Sequence, residues 1–385
     1  MLVSDYDYEL PEERIAKYPP KERGTSRLLV LNRQTGEIVD SYYRNLDEFL
    51  NPGDVLVLND TRVMQSRLFC ELPDGRKREL VVLEKHGNEP QRVMYRGKLH
   101  EGDQLTIHSR AASGRPVGTG DRRSSSPCQA PDSLELNSKL IVVTKILGNG
   151  IAEVESAIPL AELAEKYGTV PLPPYLHRDA TNDDKKRYQT VWAKNMGSAA
   201  APTASLNMTE ELLEKLRDKG VIIKYLTLHV GLGTFLPIRS DKIEDHKMHS
   251  EWFNIPDDTI EAIRSIKGDH NSFFEDRKLG RAPSSVSEKK EFGRHRIVAL
   301  GTTVARTLEY YAKTGKTSGE DDIFIYPGFE FKIVDALITN YHAPKSTVLM
   351  LASAFAGWDN LKNAYNHAIE EKYNFLSYGD SMLIC

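Results

Sequence analysis

Short apolar runs that end in polar or glycine turns recur along this chain and constrain its fold more than any other feature. Each run has the length of a buried strand, and helical patterns separate several of them, as at residues 257–266 and around Arg306 and Glu309. Strands that alternate with helices predict an α/β core. The polar turns also predict a site, because α/β proteins bind ligands beyond the carboxyl ends of their strands. The runs are residues 55–58, 221–228, 296–300, 323–325 and 336–339.

The interval 66–155 has a different pattern. Six or so short alternating stretches are separated there by glycine and proline turns, which is typical of an all-β unit. We therefore predict a mixed-sheet α/β main domain, residues 1–65 and 156–385, interrupted by an inserted small β-barrel domain. The stretch 109–133 is polar and rich in Gly, Ser and Pro, so we expect a disordered loop there. A second charged insertion is expected at 268–294.

Composition limits the classes of partner and compartment. The formal net charge of −4 argues against a general basic coat for nucleic acid but is compatible with a local basic patch. Cys70, Cys128 and Cys385 lie far apart and form no CxxC motif, so neither a disulfide framework nor a cysteine zinc site is expected. No run approaches the roughly 18 apolar residues of a membrane helix, and the first residues lack the apolar core of a signal peptide. We expect a cytoplasmic protein without a membrane segment.

The stretch 197–251 holds the densest group of candidate site residues. A run of small residues turns at Pro202-Thr203 and enters an amphipathic helix, for which Thr209 is the expected N-cap. Such a turn brings backbone N–H groups and small polar side chains close to whatever the helix N-terminus faces. Pro202 and Thr203 are therefore candidate ligand contacts.

Two histidines directly follow apolar strands. His229 is open to two interpretations, a satisfied core histidine or a site residue, and the glycine turn that comes next favours the site. That turn contains Gly231, Gly233 and Thr234. His342 ends another strand and is open to the same two interpretations.

The cluster His246-x-x-His249-x-Glu251 is the most metal-like group in the sequence. In a strand, His249 and Glu251 share one face, whereas in a helix His246 and His249 would share one. No further Cys or His falls nearby at a structural zinc spacing. Polar ligand contacts or general acid/base work are favoured over a metal-dependent hydrolase, and we expect no metal.

Short polar side chains follow the strand at 55–58. Asn59, Asp60, Thr61 and Arg62 have two equally weighted interpretations, since such residues either satisfy loop backbone groups or contact a ligand. Arg62 would suit an anion. Farther along, three prolines stiffen the segment that presents Tyr175, another candidate contact.

A set of stretches gives a family resemblance. They are DYDYELPEERIA, NPGDVLVLNDTRV, VPLPPYL, RYQTVWA, AAPTA, TEELLEKLRDKGV, TLHVGLGTF, DHKMHSE, GTT with RTLE, IFIYPGFEFKIVDALITNYHAP and EEKYNFLSYGDSM. In these stretches, in the same order, the chain resembles the S-adenosylmethionine:tRNA ribosyltransferase-isomerases of queuosine biosynthesis. The resemblance spans nearly the whole chain and mainly leaves out the two insertions.

The resemblance implies both fold and activity. The implied fold is an α/β domain interrupted by a small β-barrel. The implied reaction transfers the ribosyl part of S-adenosylmethionine, as substrate, to 7-aminomethyl-7-deazaguanine (preQ1) at the wobble position of tRNA with a GUN anticodon. The ribose is isomerised to an epoxycyclopentanediol, adenine and methionine leave, and the product is epoxyqueuosine-tRNA. We expect a monomer that needs no metal.

The positions of the matching motifs supply candidate residues. The catalytic candidates are His229, His249, Glu251, Asn207 and His342. The ligand-binding candidates are Asn59, Asp60, Thr61, Arg62, Tyr175, Pro202, Thr203, Gly231, Gly233, Thr234, His246, Thr302, Thr303, Arg306, Tyr326, Gly328 and Asn340. The residue types suit the implied chemistry, which needs a base, an acid for adenine and polar contacts around the ribose.

Several residues depart from the family's usual pattern. AAPTASLNMT stands where AAPTAGLHFT is usual, so Ser205, Asn207 and Met208 replace glycine, histidine and phenylalanine. Val304 replaces a serine, and Leu232 replaces the common alanine. Asn cannot take up a proton at neutral pH. Because we expect these changes to lie in the pocket, an alternative function is that of a divergent paralogue that binds S-adenosylmethionine or tRNA with altered substrate or reduced activity.

Overall fold

A computed structural model of the chain describes residues 1–83, 90–108, 139–148, 150–231, 238–268 and 295–385. The predicted loop at 109–133, nearly all of the insertion at 268–294, and Leu232, Gly233 and Thr234 lie outside the described residues. The described residues divide into two compact units. Unit 1 consists of Met1–Val63, Leu172–Asp179 and Lys186–Cys385, and unit 2 of Met64–Pro171 and Ala180–Lys185.

The regular elements are numbered in chain order. The strands are β1 (Arg27–Leu31), β2 (Ile38–Tyr42), β3 (Val55–Asn59), β4 (Thr61–Val63), β5 (Arg67–Glu71), β6 (Lys77–Val82), β7 (Arg92–Arg96), β8 (Gln104–Ile107), β9 (Leu140–Gly148), β10 (Ile151–Ser156), β11 (Asn195–Ser198), β12 (Ile222–Leu228), β13 (Glu251–Asn254), β14 (Ile297–Leu300), β15 (Ser318–Asp321), β16 (Ala336–Asn340) and β17 (Ser381–Ile384). The helices are α1 (Leu160–Tyr167), α2 (Asp184–Arg187), α3 (Glu210–Asp218), α4 (Asp257–Lys267), α5 (Thr302–Thr314), α6 (Thr347–Ala356) and α7 (Trp358–Glu370).

Unit 1 is built on a mixed sheet. Within the described residues the sheet has nine strands, in the order β15-β13-β12-β3-β14-β16-β17-β1-β2. The four strands β12, β3, β14 and β16 are parallel to their neighbours in this group. β17 runs antiparallel to β16, and β13 runs antiparallel to β12. The predicted mixed-sheet α/β fold is confirmed.

Both faces of this sheet are covered, which explains why its central strands are apolar throughout. On β3, Val55 and Val57 pack in one hydrophobic cluster while Leu56 and Leu58 pack in the other. The first cluster takes side chains from α4, α5, α6 and α7, and the second takes them from α3 and from the 3₁₀ segment Tyr43–Phe49. Helix α3 begins as predicted, since Thr209 Oγ1 accepts the N–H of Leu212 at 3.1 Å.

Unit 2 contains the predicted β-barrel. Six strands of the described chain close in the order β10-β7-β6-β5-β8-β9, and every pairing is antiparallel. Alternate side chains fill its interior, as Leu68 and Cys70 do on β5. Sequence alternation identified all six strands because most of them bury only one face; β6 is the exception, since Leu80, Val81 and Val82 are all buried.

The strand predicted at 323–325 is wrong. Residues 322–326 form no strand, and β15 lies just before them, paired antiparallel with β13 at the edge of the sheet. Ile323 and Ile325 are buried, but they pack as an irregular segment that begins where Asp321 Oδ1 accepts the N–H of Ile323 at 3.0 Å. An apolar run therefore marked burial here, not a strand. Among the described residues, no helix is both long and apolar enough to cross a bilayer.

Candidate active site

The four parallel strands end at one edge of the sheet and bring polar turns together there. Asn59 ends β3, His229 follows β12, Gly301 follows β14 and Asn340 ends β16. A cleft at this edge contains about 750 Å³ of space, part of it open to solvent. Small-molecule sites are concave and carry a few convergent polar groups. The cleft is thus the natural candidate for a ligand site in unit 1.

Seven of the predicted site residues line this cleft. They are Tyr175, Pro202, Thr203, Thr302, Thr303, Asn340 and His342. Its other described lining residues include Val230, Gly301, Thr339, Tyr341, Ser346 and Ser377. The Tyr175 hydroxyl is hydrogen-bonded to Ser377, and burial raises the pKa of Tyr175 to about 12. Tyr175 therefore stays protonated at neutral pH.

The turn from β14 into α5 requires a glycine. Gly301 has φ +102°, a conformation that L side chains rarely adopt. Its N–H is bonded to Ile338 O at 2.8 Å, which fixes the turn against β16. The first residues of α5, Thr302 and Thr303, consequently lie on the wall of the cleft.

His342 is a neutral side chain in the cleft wall. Burial lowers its pKa to about 3, so the imidazole is uncharged at physiological pH. Nε2 is hydrogen-bonded to Thr339 Oγ1 at 2.8 Å, and the backbone N–H donates to Tyr365 OH at 3.0 Å. This arrangement suits hydrogen bonding to a ligand better than taking up a proton.

His229 is held in place beside the cleft. Its Nδ1 lies 2.7 Å from Thr61 Oγ1, and its ring stacks on Trp252 with centroids 5.2 Å apart. Val230, the next residue, lines the cleft. A buried imidazole with a fixed orientation at a site edge is a good candidate for proton transfer.

The residues after β3 mainly organise the backbone. The Asn59 amide donates to Leu228 O at 2.9 Å and accepts from the N–H of Leu228 and of Thr61, both at 3.1 Å. Asp60 accepts from Thr227 Oγ1 at 2.6 Å and from Asn195 Nδ2 at 3.0 and 3.1 Å. Arg62 is exposed on β4. None of these residues lines the cleft, and Thr61 is connected to the site through His229.

Glu251 belongs to a buried charge network. Its Oε1 accepts the N–H of Gly231 at 2.7 Å, and its Oε2 accepts from Arg306 Nη2. Arg306 Nε lies 3.3 Å from Asp321 Oδ2. Burial would lower the pKa of Arg306, but the two carboxylates outweigh it and hold the pKa above its ordinary value. Burial raises the pKa of Asp321 to about 6, although Arg306 opposes this shift.

The two remaining histidines do not join Glu251. His249 is exposed, and His246 packs edge-on against Phe324 with ring centroids 5.1 Å apart. Burial, together with His249, lowers the pKa of His246. Within the described ranges, no group of three or more His, Cys, Asp or Glu side chains is placed to hold a metal ion.

Arg306 and Tyr326 lie near a second, smaller pocket. Arg306 lines it together with Thr302, Thr303 and the irregular segment 323–325, so it adjoins the cleft. The Tyr326 ring packs against Phe324 with centroids 5.2 Å apart. Gly328 has φ +96° and lies in a turn in which the N–H of Phe329 donates a hydrogen bond to Tyr326 O. Neither Tyr326 nor Gly328 lines the cleft or this pocket.

The family departures lie elsewhere than expected. Asn207 accepts from Ser26 Oγ at 2.7 Å and donates to Gly379 O at 3.0 Å and to Ser381 Oγ at 3.1 Å. Asn207, Ser205, Met208 and Val304 are all buried, and none of them lines the cleft. The expectation that they lie in the pocket is corrected for these residues: their side chains point into the packed interior. Leu232 is outside the described residues.

Some residues of the site were missed from the sequence. Thr339 and Tyr341 flank Asn340, so the strand-end signal that selected Asn340 also marked them. Asp321 could not be found, because the strand was predicted at 323–325, whereas β15 (Ser318–Asp321) ends before that run begins. Ser377 lies in a loop without a hydrophobic pattern, and the one signal for it is the matching stretch EEKYNFLSYGDSM.

The chain matches known proteins along its whole length. The family model described as queuosine biosynthesis protein matches residues 3–274 and 280–384. The chain is 48% identical to the S-adenosylmethionine:tRNA ribosyltransferase-isomerase of Pelodictyon phaeoclathratiforme and 48% identical to that of Chlorobium phaeobacteroides, with 100% of each chain covered. It is 30% identical to the solved S-adenosylmethionine tRNA ribosyltransferase of Thermotoga maritima, with 99% of this chain and 100% of that chain covered and a TM-score of 0.49.

Proposed function

This chain belongs to the family of queuosine biosynthesis proteins, and we propose that it is an S-adenosylmethionine:tRNA ribosyltransferase-isomerase. The observation that carries this function is the match of 48% identity over the full length of relatives with that name. The cleft at the carboxyl edge of the sheet supports it, because polar residues at the ends of three parallel strands, β12, β14 and β16, line or adjoin one space.

The proposed substrates are those of the implied family reaction. S-adenosylmethionine supplies the ribosyl group, and the acceptor is the aminomethyl nitrogen of preQ1 at the wobble position of a tRNA with a GUN anticodon. The product is epoxyqueuosine-tRNA, released with adenine and methionine. We propose that a monomer acts in the cytoplasm, where its tRNA substrate is used, and that the reaction needs no metal.

The chemistry starts with a proton. A sulfonium acidifies the adjacent carbon, so that a base can remove its proton and the resulting ylide can expel adenine. The aminomethyl nitrogen then attacks, and methionine leaves as the epoxide closes. Such steps need a base, a proton donor for adenine and exclusion of water.

We assign the base to His229. In the tautomer in which Nδ1 donates to Thr61 Oγ1, the lone pair that a base requires is on Nε2. Glu251 is a weaker candidate, because both of its carboxylate oxygens already bind protein groups. His342, with a pKa of about 3, is assigned to hydrogen bonding with the ligand.

The divergent-paralogue alternative has little structural support. It depended on substitutions within the pocket, and the described ones are buried outside the cleft lining. We therefore expect turnover of the usual substrates by this chain.

The test is a direct assay. Purified protein is incubated with S-adenosylmethionine and tRNA that carries preQ1, and the digested nucleosides and free adenine are measured by mass spectrometry. We expect epoxyqueuosine and adenine in equal amounts. The same tRNA with guanine at the wobble position, which lacks the aminomethyl nucleophile, is the control and should give no modified nucleoside. Folded protein that forms neither product would contradict the proposed function.

A further inference from the structure

The cleft contains an uncapped helix N-terminus. Helix α5 has thirteen residues, and no side chain of the described chain caps its start at Gly301. The first N–H groups of a helix lack partners inside it and, together with the helix dipole, favour an anion. Gly301, Thr302 and Thr303 all line the cleft, so these donors lie at its wall.

Two polar atoms at the same wall also lack partners. Thr303 Oγ1 is buried without a hydrogen-bond partner among the described residues, and a Cβ at Gly301 would lie 3.7 Å from it. Asn340 is 2% exposed, and its Oδ1 has no partner among the described residues either. The Asn340 NH₂ group faces Asp380 O at 3.4 Å, which leaves the carbonyl oxygen as the unpaired atom. Buried polar atoms are normally paired, so these two point to a ligand.

The two features are neighbours across the sheet. β14 and β16 are parallel and adjacent, with Leu300 opposite Ile338. The start of α5 and Asn340 therefore lie at the ends of two adjacent strands. Adjacent strands in a sheet are roughly 5 Å apart. An anion site beside a hydrogen-bond acceptor matches the chemistry of a group that carries a carboxylate and an ammonium on one carbon.

We infer that this wall of the cleft is the subsite for the α-amino acid end of S-adenosylmethionine. The N-terminus of α5 and the Thr303 hydroxyl donate to the carboxylate, and Asn340 Oδ1 accepts from the α-ammonium group. The adenosine end and the sulfonium then extend into the rest of the cleft. The inference rests on the proposed function and assigns one part of its substrate to named residues.

The test measures the affinity of three ligands by calorimetry. S-adenosylmethionine has both charged groups of the amino acid end, decarboxylated S-adenosylmethionine has the ammonium but no carboxylate, and 5′-methylthioadenosine has neither and also lacks the sulfonium charge. Hydrogen bonds to charged groups contribute about 1.5–3 kcal/mol, so the wild-type protein should bind the decarboxylated ligand about 10- to 100-fold more weakly than S-adenosylmethionine.

Two variants separate the charged groups. Thr303→Val should lower the affinity for S-adenosylmethionine about tenfold and leave the affinity for the decarboxylated ligand within about twofold of wild type. Asn340→Ala should lower the affinity for both of these ligands by the same factor, again about tenfold. The affinity for 5′-methylthioadenosine should stay within about twofold of wild type. Thr314→Val is the matched control, because its hydroxyl donates to Tyr310 O at the far end of the same helix.

Each outcome decides the inference. Equal wild-type affinity for S-adenosylmethionine and its decarboxylated form would overturn the carboxylate assignment. Weaker binding of 5′-methylthioadenosine by Asn340→Ala would place the adenosine end at this wall and overturn the subsite. Failure of the proposed function would look different, since the wild-type protein would then bind none of the three ligands and form no epoxyqueuosine.

Discussion

The guanidinium of Arg306 on α5 forms an ion pair with the carboxylate of Glu251 on β13, and both side chains are almost completely buried. Asp321 on β15 adds a second carboxylate to the same guanidinium. The N–H of Gly231 donates a hydrogen bond to Glu251, so this network also fixes the start of the glycine turn after β12. Glu251 and Arg306 were both predicted as site residues, and in the structure they link, together with Asp321, a helix, the last two strands at one side of the sheet and a loop.

Removal of Arg306 should destabilise the fold strongly. Arg306→Met leaves Glu251 and Asp321 buried without a counter-charge, and breaking a buried pair in this way costs about 3–5 kcal/mol. Urea unfolding at pH 7 measures the loss. Lys224→Met is the matched control, because the Asp258 partner of Lys224 is 66% exposed, and exposed pairs contribute about 0–1 kcal/mol. A loss of similar size in both variants would contradict a special role for the buried network.

Asp321 should make the stability depend on pH. Its pKa is about 6 in the folded protein and near 3.9 in an unfolded chain. Between these values the folded state binds more protons, so this group's contribution is fully present below pH 4 and is lost as the pH rises through 6. The free energy of unfolding of Asp321→Asn, relative to that of wild type, should therefore rise by about 3 kcal/mol between pH 4 and pH 7. Urea unfolding across this range is the measurement, and a constant difference between the two proteins would rule out the raised pKa.

His342 should produce the opposite slope. Its pKa is about 3 in the folded protein and near 6.5 when unfolded, so the unfolded state binds more protons between these values. The stability that this group contributes is present above pH 6.5 and is lost as the pH falls toward 3. Between pH 4 and pH 6, His342 should make the free energy of unfolding rise by about 1.4 kcal/mol per pH unit, and His342→Gln should remove this slope. Parallel stability curves for the two proteins would show that His342 titrates normally.

His229 should control the chemical step. If it is the base, His229→Gln lowers kcat by about 100-fold or more. Thr61→Val removes the hydroxyl 2.7 Å from Nδ1 and should lower kcat about tenfold with KM for S-adenosylmethionine unchanged, since only the orientation of the imidazole is lost. Adenine release under single-turnover conditions reports this step. Activity of His229→Gln within about threefold of wild type would transfer the role of base to another residue.

Asn207 should act through stability and not through turnover. Its three buried hydrogen bonds connect Ser26, Gly379 and Ser381. Asn207→Ala should cost about 2 kcal/mol of unfolding free energy, because buried partners lose their bonds. Asn360→Ala removes one part-buried bond to Arg33 O, and as the control it should cost about 1 kcal/mol.

The same position tests the alternative function. Asn207→His restores the residue that is usual in the family, but the side chain does not line the cleft. We expect no gain in ribosyl transfer and some loss of stability, because an imidazole cannot reproduce all three bonds of the amide. A large gain in transfer would show that the present pocket is impaired and would support the divergent paralogue.

The sequence by itself determined the architecture of both units. Apolar runs such as residues 55–58 and one-sided alternation such as Arg67–Glu71 are local consequences of burial on two faces or on one, and these predicted the four parallel strands of the sheet and the six barrel strands. Glycine and polar residues at strand ends predicted the edge that holds the cleft. Thr302, Asn340 and His342 were found in this way, because the carboxyl ends of parallel strands must meet at one edge.

Only the tertiary structure decided what each candidate side chain contacts. Asn59 and Asn207 carry the same polar amide as Asn340, but packing ties the first two to backbone and serine groups, and the amide oxygen of the third has no partner in the part of the chain that the structure describes. His246, His249 and Glu251 are neighbours in sequence, yet Glu251 turns inward to Arg306 while His249 faces solvent. Such partners come from strands and helices far apart in the chain, and local patterns carry no information about which of them will meet.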